Sequence, residues 1–135
     1  KNYFLVICGD GHELNSLKEI TNKLGLNNKV LFIGYKSNPY FLMKDAALCV
    51  VSSRIEGFPN VLNEMILLNK KVLSSYCTES ISEIDFIFKS DINDIEKFSE
   101  SMNNAIKTDL NDKSNLLRSK YISNLNLIKY YKKWI

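Results

Sequence analysis

The sequence is poor in the residues that mark several specialised classes of protein. It has 1 histidine and 3 cysteines, Cys8, Cys49 and Cys77, which lie far apart with no CxxC pair. Neither a histidine–cysteine metal site nor a disulfide framework is therefore indicated. Cysteines within apolar runs behave as small hydrophobic residues, and we expect a disulfide-free cytoplasmic protein. With 5 glycines and 2 prolines, collagen-like and low-complexity classes are excluded.

Long apolar runs and a strong charge of one sign are lacking as well. No apolar stretch approaches the ~18–20 residues of a membrane span, and the apolar start of the chain has no signal-peptide pattern. The formal net charge is +3, and the 18 basic residues include two arginines, Arg54 and Arg118. Because arginine is the residue that recognises bases and phosphates with paired hydrogen bonds, we predict no nucleic-acid partner.

What the sequence does have is the composition of a single globular domain. Its 135 residues are 45% apolar and 24% charged, and a chain of this length buries roughly 65–70% of its unfolded surface. No repeat or linker is visible, so we place no boundary inside 1–135. The chain opens directly in an apolar run without an initiator methionine, and we expect it to be part of a longer protein.

The spacing of apolar residues predicts strands that alternate with helices. The continuous run at 3–8 is typical of a strand buried on both faces. Such alternation across short links is typical of an α/β fold, with a mainly parallel sheet and right-handed crossovers. The predicted strands are 3–8, 30–33, 46–51, 71–76 and 84–88, and the predicted helical segments are 14–24, 40–43, 61–68, 91–107 and 112–134, the last of which we leave open as a broken pair.

Aromatic and basic residues crowd the end of the chain. We favour a helix whose aromatic side chains pack on a neighbouring domain, and keep as an alternative peripheral contact with the inner face of a membrane, because such helices sit well at a lipid interface. The residues concerned are Tyr121, Tyr130, Tyr131, Lys132, Lys133 and Trp134.

The segment from Ser52 to Glu64 carries the strongest functional signal. It follows the third predicted strand and opens a helix, which is where open α/β sheets bind ligands. Asn60 is a suitable N-cap, and the amides of Asn60, Val61 and Leu62 are expected to lack partners in the first turn. Together with the helix dipole, such amides make a site for phosphate.

Two carboxylates flank this phosphate site. Glu56 lies on the loop before the helix and Glu64 lies about one turn inside it. Eight helical steps would separate them by ~12 Å, too far for the two to act on one water molecule. The arrangement suits an elongated ligand with hydroxyl groups at both ends and negative charge in the middle, as in a nucleoside diphosphate sugar.

Other candidate motifs favour plain structural roles. Gly9-Asp10-Gly11 lacks the third glycine of a dinucleotide-binding loop, and His12 has no ligand partner at metal-site spacing. Ser52 and Ser53 stand outside any G-x-S-x-G context, so we expect them to end the strand. Lys70-Lys71 is expected to be an exposed turn, with phosphate contact as the alternative.

The Glu56…Glu64 pair resembles the E-x7-E motif of retaining glycosyltransferases of family 4, the glycosyl transferases group 1. The form E-G-F-P-N-V-L-x-E is similar to that of bacterial enzymes that build surface polysaccharides. The resemblance covers about residues 3–107 in collinear order. The supporting matches are Gly9-Asp10-Gly11, Leu24-Gly25-Leu26, Val30 to Tyr35, Asn38-Pro39, and Cys77 with Glu83-Ile84.

The resemblance implies a GT-B architecture of two Rossmann-like domains with the active site between them. This chain would be most of the C-terminal, nucleotide-sugar-binding domain, with the first strand and the N-terminal acceptor domain lying outside it. The implied reaction is retaining transfer of a hexose or N-acetylhexosamine from a UDP-linked or related donor to a glycan or lipid-linked acceptor. The isolated chain is expected to be inactive.

The resemblance also implies a role for each site residue. Glu56 would bond the donor sugar and is the catalytic candidate, while Glu64 would hold the ribose and Tyr35-Lys36 the nucleobase. No metal or cofactor is expected. The sugar and pyrophosphate would be held by Gly57, Phe58, Pro59, Asn60, Val61 and Leu62.

Two other functions stay open. One is a non-catalytic nucleotide- or sugar-binding or interaction module of the same fold. It is motivated by the glycines of the family pattern that are missing after Lys71, as at Ser80-Ile81, where the family often has Gly-Pro. The sequence also departs from the family at Met65 and at 69–71, where alanine and a glycine-containing turn are frequent. The other is a response-regulator-like or dinucleotide-binding domain. The sequence shows neither the acidic phosphorylation pocket of the first class nor the full glycine pattern of the second.

Overall fold

The computed structural model describes residues 3–57 and 59–125 of the chain. It divides into two compact units, Lys1–Pro39 and Tyr40–Ile135. Each unit contains parallel strands joined through helices, and each is described by itself below.

The first unit is one strand–helix–strand repeat. Strand β1 (Leu5–Cys8) and strand β2 (Val30–Gly34) are connected through helix α1 (Leu14–Lys23). The two strands pair in parallel, with Leu5 opposite Val30. Gly25 follows α1 with a φ of 66°, a left-handed conformation that glycine adopts without steric cost.

The prediction that β1 is buried on both faces is wrong for the described residues. Phe4, Leu5 and Val6 are 57%, 47% and 41% exposed, and Cys8, expected to be a buried small hydrophobe, is exposed. The apolar run correctly predicts the strand, but a unit of two strands and one helix has too few residues to cover both faces of its sheet.

The second unit is built on a three-stranded parallel sheet in the order β3-β4-β5. Cys49 pairs with Val72 and Leu73 pairs with Phe88. The elements in chain order are α2 (Tyr40–Asp45), β3 (Cys49–Val51), α3 (Asn60–Leu68), β4 (Val72–Ser75), a 3-10 helix (Glu79–Glu83), β5 (Phe88–Ser90), α4 (Ile95–Lys107) and α5 (Asp112–Asn124).

The core of the second unit lies between the central strand β4 and the helices beside it. All four β4 residues are buried, because a central parallel strand is covered on both faces. The core cluster comprises Met43, Cys49, Val51, Leu62, Ile66, Val72, Cys77, Ile81, Ile84 and Ile87.

The predicted end of the sheet is shifted along the chain. Strand β5 was predicted at 84–88 but spans Phe88–Ser90, because Ile84 and Ile87 are buried in the core as the chain leaves the 3-10 helix. Helix α4 was predicted from Asp91 but starts at Ile95, since the Asp94 carboxylate accepts a hydrogen bond from the Lys97 amide as its N-cap. Strand β3 is likewise shorter than predicted.

The predicted final helix is described only to Asn124. Its aromatic and basic residues at 130–134 lie outside the described residues, so packing against another domain and membrane contact both remain predictions. Within the part that the structure describes, no helix is long and apolar enough to cross a membrane.

Candidate functional site

The carboxyl ends of β3 and β4 bring the candidate site together. Parallel strands run in one direction, so the loop after Val51 and the loop after Ser75 leave the same edge of the sheet. The first loop, 52–59, leads into α3. The second leads through Cys77 into the 3-10 helix.

Glu56 is fixed on this first loop by two hydrogen bonds. The Ser53 hydroxyl donates to the Glu56 carboxylate oxygen Oε1 at 2.9 Å. The Glu56 amide donates to the carbonyl oxygen of Cys77, also at 2.9 Å. Cys77 is buried, whereas Glu56 is exposed. The backbone at Glu56 is thus tied to the chain after β4, while its charged side chain faces solvent.

A buried serine supports the same loop from the sheet. Ser75, the last residue of β4, has no exposed surface, and its hydroxyl donates to the carbonyl oxygen of Ser53. The supporting roles of Ser75 and Cys77 are not predicted from the sequence, and Ser53 is predicted only to end the strand. The available signal was the position of both serines at the ends of strands.

The start of α3 differs from the prediction in its cap. Pro59 occupies the N-cap position, with φ −73° and ψ 110°, and no side chain caps the helix. Asn60, predicted to be the cap, is the first helical residue and is exposed. The restricted φ of proline suits this position, and its missing N–H costs nothing there.

One of the three amides predicted to be unpaired has a partner. The Leu62 amide donates to the Pro59 carbonyl oxygen at 2.9 Å, and the Leu62 side chain is fully buried. This bond spans three residues instead of four, so the first turn is tighter than an α-helical turn, and it pairs the Leu62 amide within the helix. Asn60 and Val61 remain on the exposed side of the turn.

Glu64 lies one turn into α3, and its side chain is half-buried. Only the four steps from Asn60 to Glu64 are helical, and they account for about 6 Å along the helix axis. The remaining separation from Glu56 comes from the loop. Glu56 thus lies on the loop before the helix and Glu64 inside it, as the periodicity predicts, and the placement of their carboxylates around a ligand stays a prediction.

Gly57 is not required by the fold of the free protein. Its φ lies outside the left-handed range, and a Cβ added there would have no described atom within 4 Å. Phe58, the next predicted contact, lies outside the described residues. The side of the loop at Gly57 is open space.

The far end of α3 is held by side chains from other elements. Arg118 of α5 donates through Nε to the Ile66 carbonyl oxygen at 2.7 Å and through Nη2 to that of Leu67 at 2.8 Å. Burial lowers the pKa of the Arg118 guanidinium. The Tyr121 hydroxyl donates to Asn63 Oδ1 at 3.0 Å. Helix α5 thus fixes α3 at both its middle and its end.

The segment 69–71, where the sequence departs from the family pattern, is structural. The buried Asn69 amide nitrogen Nδ2 donates to the carbonyl oxygens of Met43 and Ala46, at 2.7 and 2.8 Å. Its Oδ1 accepts from the Lys71 amide. Lys71 Nζ donates to the Ile106 carbonyl oxygen at 2.8 Å. Because Lys71 immediately precedes β4, it lies at the edge of the sheet opposite Glu56.

The predicted nucleobase contacts belong to the first unit. Tyr35 and Lys36 follow β2 and are exposed, so their assignment remains a prediction. Among the described residues, no group of three or more His, Cys, Asp or Glu side chains could hold a metal ion.

The chain was compared with known proteins. The family model described as glycosyl transferases group 1 matches residues 1–124. An uncharacterized glycosyltransferase of Methanocaldococcus jannaschii is 41% identical over 83 residues, which are 62% of this chain and 20% of that protein. The N-acetylgalactosamine-N,N'-diacetylbacillosaminyl-diphospho-undecaprenol 4-alpha-N-acetylgalactosaminyltransferase of Campylobacter jejuni is 34% identical over 87 residues, covering 64% of this chain and 23% of that protein.

Solved structures show the same fold. A glycosyltransferase of Rickettsia africae has a TM-score of 0.78 at 20% identity, over 98% of this chain and 40% of its own. Anabaena HepE in complex with UDP has a TM-score of 0.72 at 21% identity, over 90% of this chain and 35% of its own. These likenesses confirm the predicted α/β fold, a Rossmann-like parallel arrangement flanked by helices as in GT-B glycosyltransferases.

The match to the family model extends over most of the chain, from the first residue to the end of α5. The chain spans about a fifth of the length of the curated relatives, 20% and 23% of the two named above. The chain belongs to the family of glycosyl transferases group 1.

Proposed function

We propose that this chain binds the nucleotide-sugar donor of a retaining glycosyltransferase of family 4. The observation that carries the proposal is the fixed position of Glu56. Its backbone is tied to Cys77 and its carboxylate to Ser53, directly before a helix start that has no side-chain cap. A helix start of this kind attracts phosphate, and a carboxylate held beside it can accept hydrogen bonds from sugar hydroxyls.

In this proposal each part of the donor meets a different part of the site. Glu56 holds the donor sugar as the catalytic group, and the N–H groups of Gly57, Phe58, Asn60 and Val61 hold the pyrophosphate, since Pro59 has no N–H. Glu64 accepts hydrogen bonds from the ribose hydroxyls, and Tyr35-Lys36 contact the nucleobase. Leu62 contributes through its hydrogen bond to the Pro59 carbonyl oxygen, which shapes the first turn.

The proposed donor is a UDP-hexose or UDP-N-acetylhexosamine. Support comes from the Anabaena relative, which was solved in complex with UDP and with UDP and glucose. We propose that the helix dipole and basic groups stabilise the departing diphosphate without a metal ion. The donor titrations below, repeated in the presence of EDTA, test this point, because a metal-dependent site would lose affinity.

The proposal places this chain in a longer enzyme. An N-terminal acceptor domain and a first strand complete the cleft, and the isolated chain binds donor without transferring sugar. The acceptor is proposed to be a glycan or lipid-linked sugar at the cytoplasmic face of a membrane. The Campylobacter relative, whose name gives a diphospho-undecaprenol-linked substrate, supports this class.

The test is calorimetric titration of the chain with UDP, GDP and ADP, followed by the UDP-sugars. We expect binding of UDP, weakened in Glu64→Ala by ~1–3 kcal/mol through the loss of hydrogen bonds to a charged group. Glu100→Ala is the matched control, because Glu100 is an exposed glutamate on α4. Equal UDP affinity in the wild type and Glu64→Ala, together with unchanged transfer by Glu56→Ala in the full-length enzyme, would overturn the proposal.

The second candidate is a non-catalytic binding module of the same fold. The observation that favours it is the 3-10 helix Glu79–Glu83, which occupies the position where the family often has Gly-Pro. Nucleotide-sugar binding without sugar transfer or donor hydrolysis by the full-length protein, across several sugar acceptors, would favour this candidate over the enzyme.

A further inference from the structure

We propose that Ser53 and Ser75 are positioning residues that aim the Glu56 carboxylate at the sugar part of the donor. The inference rests on the proposed function, because it assigns Glu56 to the sugar. It goes beyond that function by naming the side chains on which the direction of Glu56 depends. Neither serine contacts the donor in this proposal, so both act through Glu56.

The first step is the contact between Ser53 and Glu56. A glutamate side chain exposed to solvent samples many rotamers, and ordering it costs free energy. The Ser53 hydroxyl donates to Oε1 of Glu56 at 2.9 Å, a hydrogen bond strengthened by the charge on the acceptor. A carboxylate has two oxygens that accept hydrogen bonds. Holding Oε1 therefore fixes the direction in which Oε2 can meet a sugar hydroxyl.

The second step explains what fixes Ser53. Its carbonyl oxygen accepts a hydrogen bond from the Ser75 hydroxyl, and Ser75 is fully buried at the end of the central strand β4. A buried hydroxyl must be paired, so this bond is not exchanged for one to water. The path of the loop at Ser53 is thereby set by a central strand whose four residues are all buried.

The third step is the hydrogen bond that holds the backbone of Glu56 itself. The Glu56 amide donates to the carbonyl oxygen of Cys77, two residues after Ser75. Backbone groups at both ends of the segment 53–56 are therefore bonded to the end of β4 and the residues after it. Three hydrogen bonds, from Ser75, from Ser53 and to Cys77, together determine where the Glu56 carboxylate lies.

The experiment compares affinity for UDP with affinity for UDP-glucose, UDP-galactose and their N-acetylhexosamine counterparts in Ser53→Ala, Ser53→Thr and Glu56→Ala. We expect Ser53→Ala to weaken binding of the best UDP-sugar about tenfold, the effect of losing one hydrogen bond to a charged group, and to leave UDP binding unchanged. Ser53→Thr retains the hydroxyl and is expected to restore the affinity. Ser119→Ala, which removes another exposed 2.9 Å serine bond, is the control.

A double variant shows whether Ser53 acts through Glu56. In the Glu56→Ala background, Ser53→Ala is expected to have no further effect on UDP-sugar affinity. An undiminished tenfold loss in that background, or an equal loss for UDP and UDP-sugar, would overturn the inference. If Glu56→Ala itself leaves UDP-sugar affinity unchanged, the proposed role of Glu56 fails. If Glu56→Ala weakens binding and Ser53→Ala does not, only the present inference fails.

Hydrogen exchange tests the part played by Ser75 without any ligand. We expect Ser75→Ala to speed exchange of the Glu56 amide about fivefold by loosening the loop. Ser74→Ala is the matched control, because Ser74 is equally buried on the same strand and its hydroxyl donates to the Ser75 carbonyl oxygen instead of the loop. Equal exchange rates at Glu56 in the two variants would contradict the role of Ser75.

Discussion

The two ends of helix α3 differ in how their terminal backbone groups are paired. At its end, the carbonyl oxygens of Ile66 and Leu67 accept hydrogen bonds from Arg118, and the Asn69 amide donates to the Met65 carbonyl oxygen. At its start, Pro59 occupies the N-cap and makes no side-chain capping hydrogen bond. Every helix leaves backbone groups without intrahelical partners at both ends. The two ends of α3 therefore differ in whether other residues of the chain pair those groups.

This difference separates stability from ligand binding along one helix. At the far end, Arg118 pairs the last carbonyl oxygens and the Asn69 side chain bonds the residue after the helix to other segments. Replacing either side chain is expected to lower the free energy of unfolding. At the start, Pro59 makes no side-chain cap and its carbonyl oxygen pairs only the Leu62 amide, and we propose that the amides before Leu62 meet an anionic ligand. The three predictions below test this separation, from the largest expected effect to the smallest.

The largest effect is expected at the end of the helix, from Asn69→Ala. The variant removes three side-chain hydrogen bonds and takes away the Asn69 partner of the half-buried Ala46 carbonyl oxygen and of the Lys71 amide. We expect the free energy of unfolding to fall by about 3 kcal/mol, measured by urea denaturation, with UDP affinity unchanged.

Asn103→Ala is the control for this prediction, because Asn103 is an exposed asparagine with one side-chain bond, to Ser99, and its loss is expected to cost under about 0.5 kcal/mol. A larger effect of Asn69→Ala on UDP affinity than on stability would break the separation between the two ends.

A smaller effect of the opposite kind is expected near the start of the helix, from Gly57→Ala. The added Cβ meets no described atom of the protein, so stability should change by less than about 0.5 kcal/mol. Under the proposed function the same methyl group would occupy space that the donor needs, and we expect UDP-sugar affinity to fall about tenfold, or ~1.4 kcal/mol.

Gly25→Ala is the matched control, because Gly25 has a φ of 66° and an alanine there costs about 1 kcal/mol of stability. Calorimetry and urea denaturation on both variants measure the two quantities. Unchanged donor affinity in Gly57→Ala would show that the donor does not approach this side of the loop.

The smallest effect concerns the start of α4, which the chain caps itself. The Lys97 amide donates to the Asp94 carboxylate at 3.0 Å, and this bond, followed by the contact with the Lys97 side chain, lowers the pKa of Asp94 below its ordinary 3.8. A carboxylate with a lowered pKa in the folded state stabilises the fold above its unfolded pKa, and the contribution disappears as the pH falls through the folded value.

We therefore expect a small stability advantage of the wild type over Asp94→Asn near neutral pH. Asparagine can still cap the helix, so the comparison isolates the charge. Urea denaturation of both proteins between about pH 7 and pH 2 measures the difference, which should vanish at the acid end. An advantage that persists there would show that the capping charge is not its source.

The elements that the sequence predicts correctly are those with strong local signals. A continuous apolar run predicts β1, the segment 71–76 predicts β4, and three- and four-residue spacing predicts α1 and α4. The loop position of Glu56 and the helical position of Glu64 follow from the same periodicity. The fold class can therefore be predicted from the spacing of apolar residues within each segment, without knowledge of contacts between segments.

What the sequence does not predict depends on contacts between distant segments. Asn69 was noted only as a departure from the family pattern, since its partners Met43 and Ala46 are more than 20 residues away. The role of Ser75 depends on a loop that starts from a different strand. The shift of β5 to Phe88–Ser90 arises because Ile84 and Ile87 fill the core, a competition that periodicity alone does not resolve.

The bond between the Glu56 amide and the Cys77 carbonyl oxygen has a consequence for how the sequence can vary. The acceptor is a backbone atom, so the side chain at 77 needs only to be small and apolar enough for its buried position. The length of the chain between Ser75 and Thr78 is more strictly constrained, since one added or deleted residue would displace that carbonyl by about 3.3 Å. Position 77 is therefore expected to tolerate substitution by other small apolar residues, whereas the segment around it is expected not to tolerate an insertion or deletion.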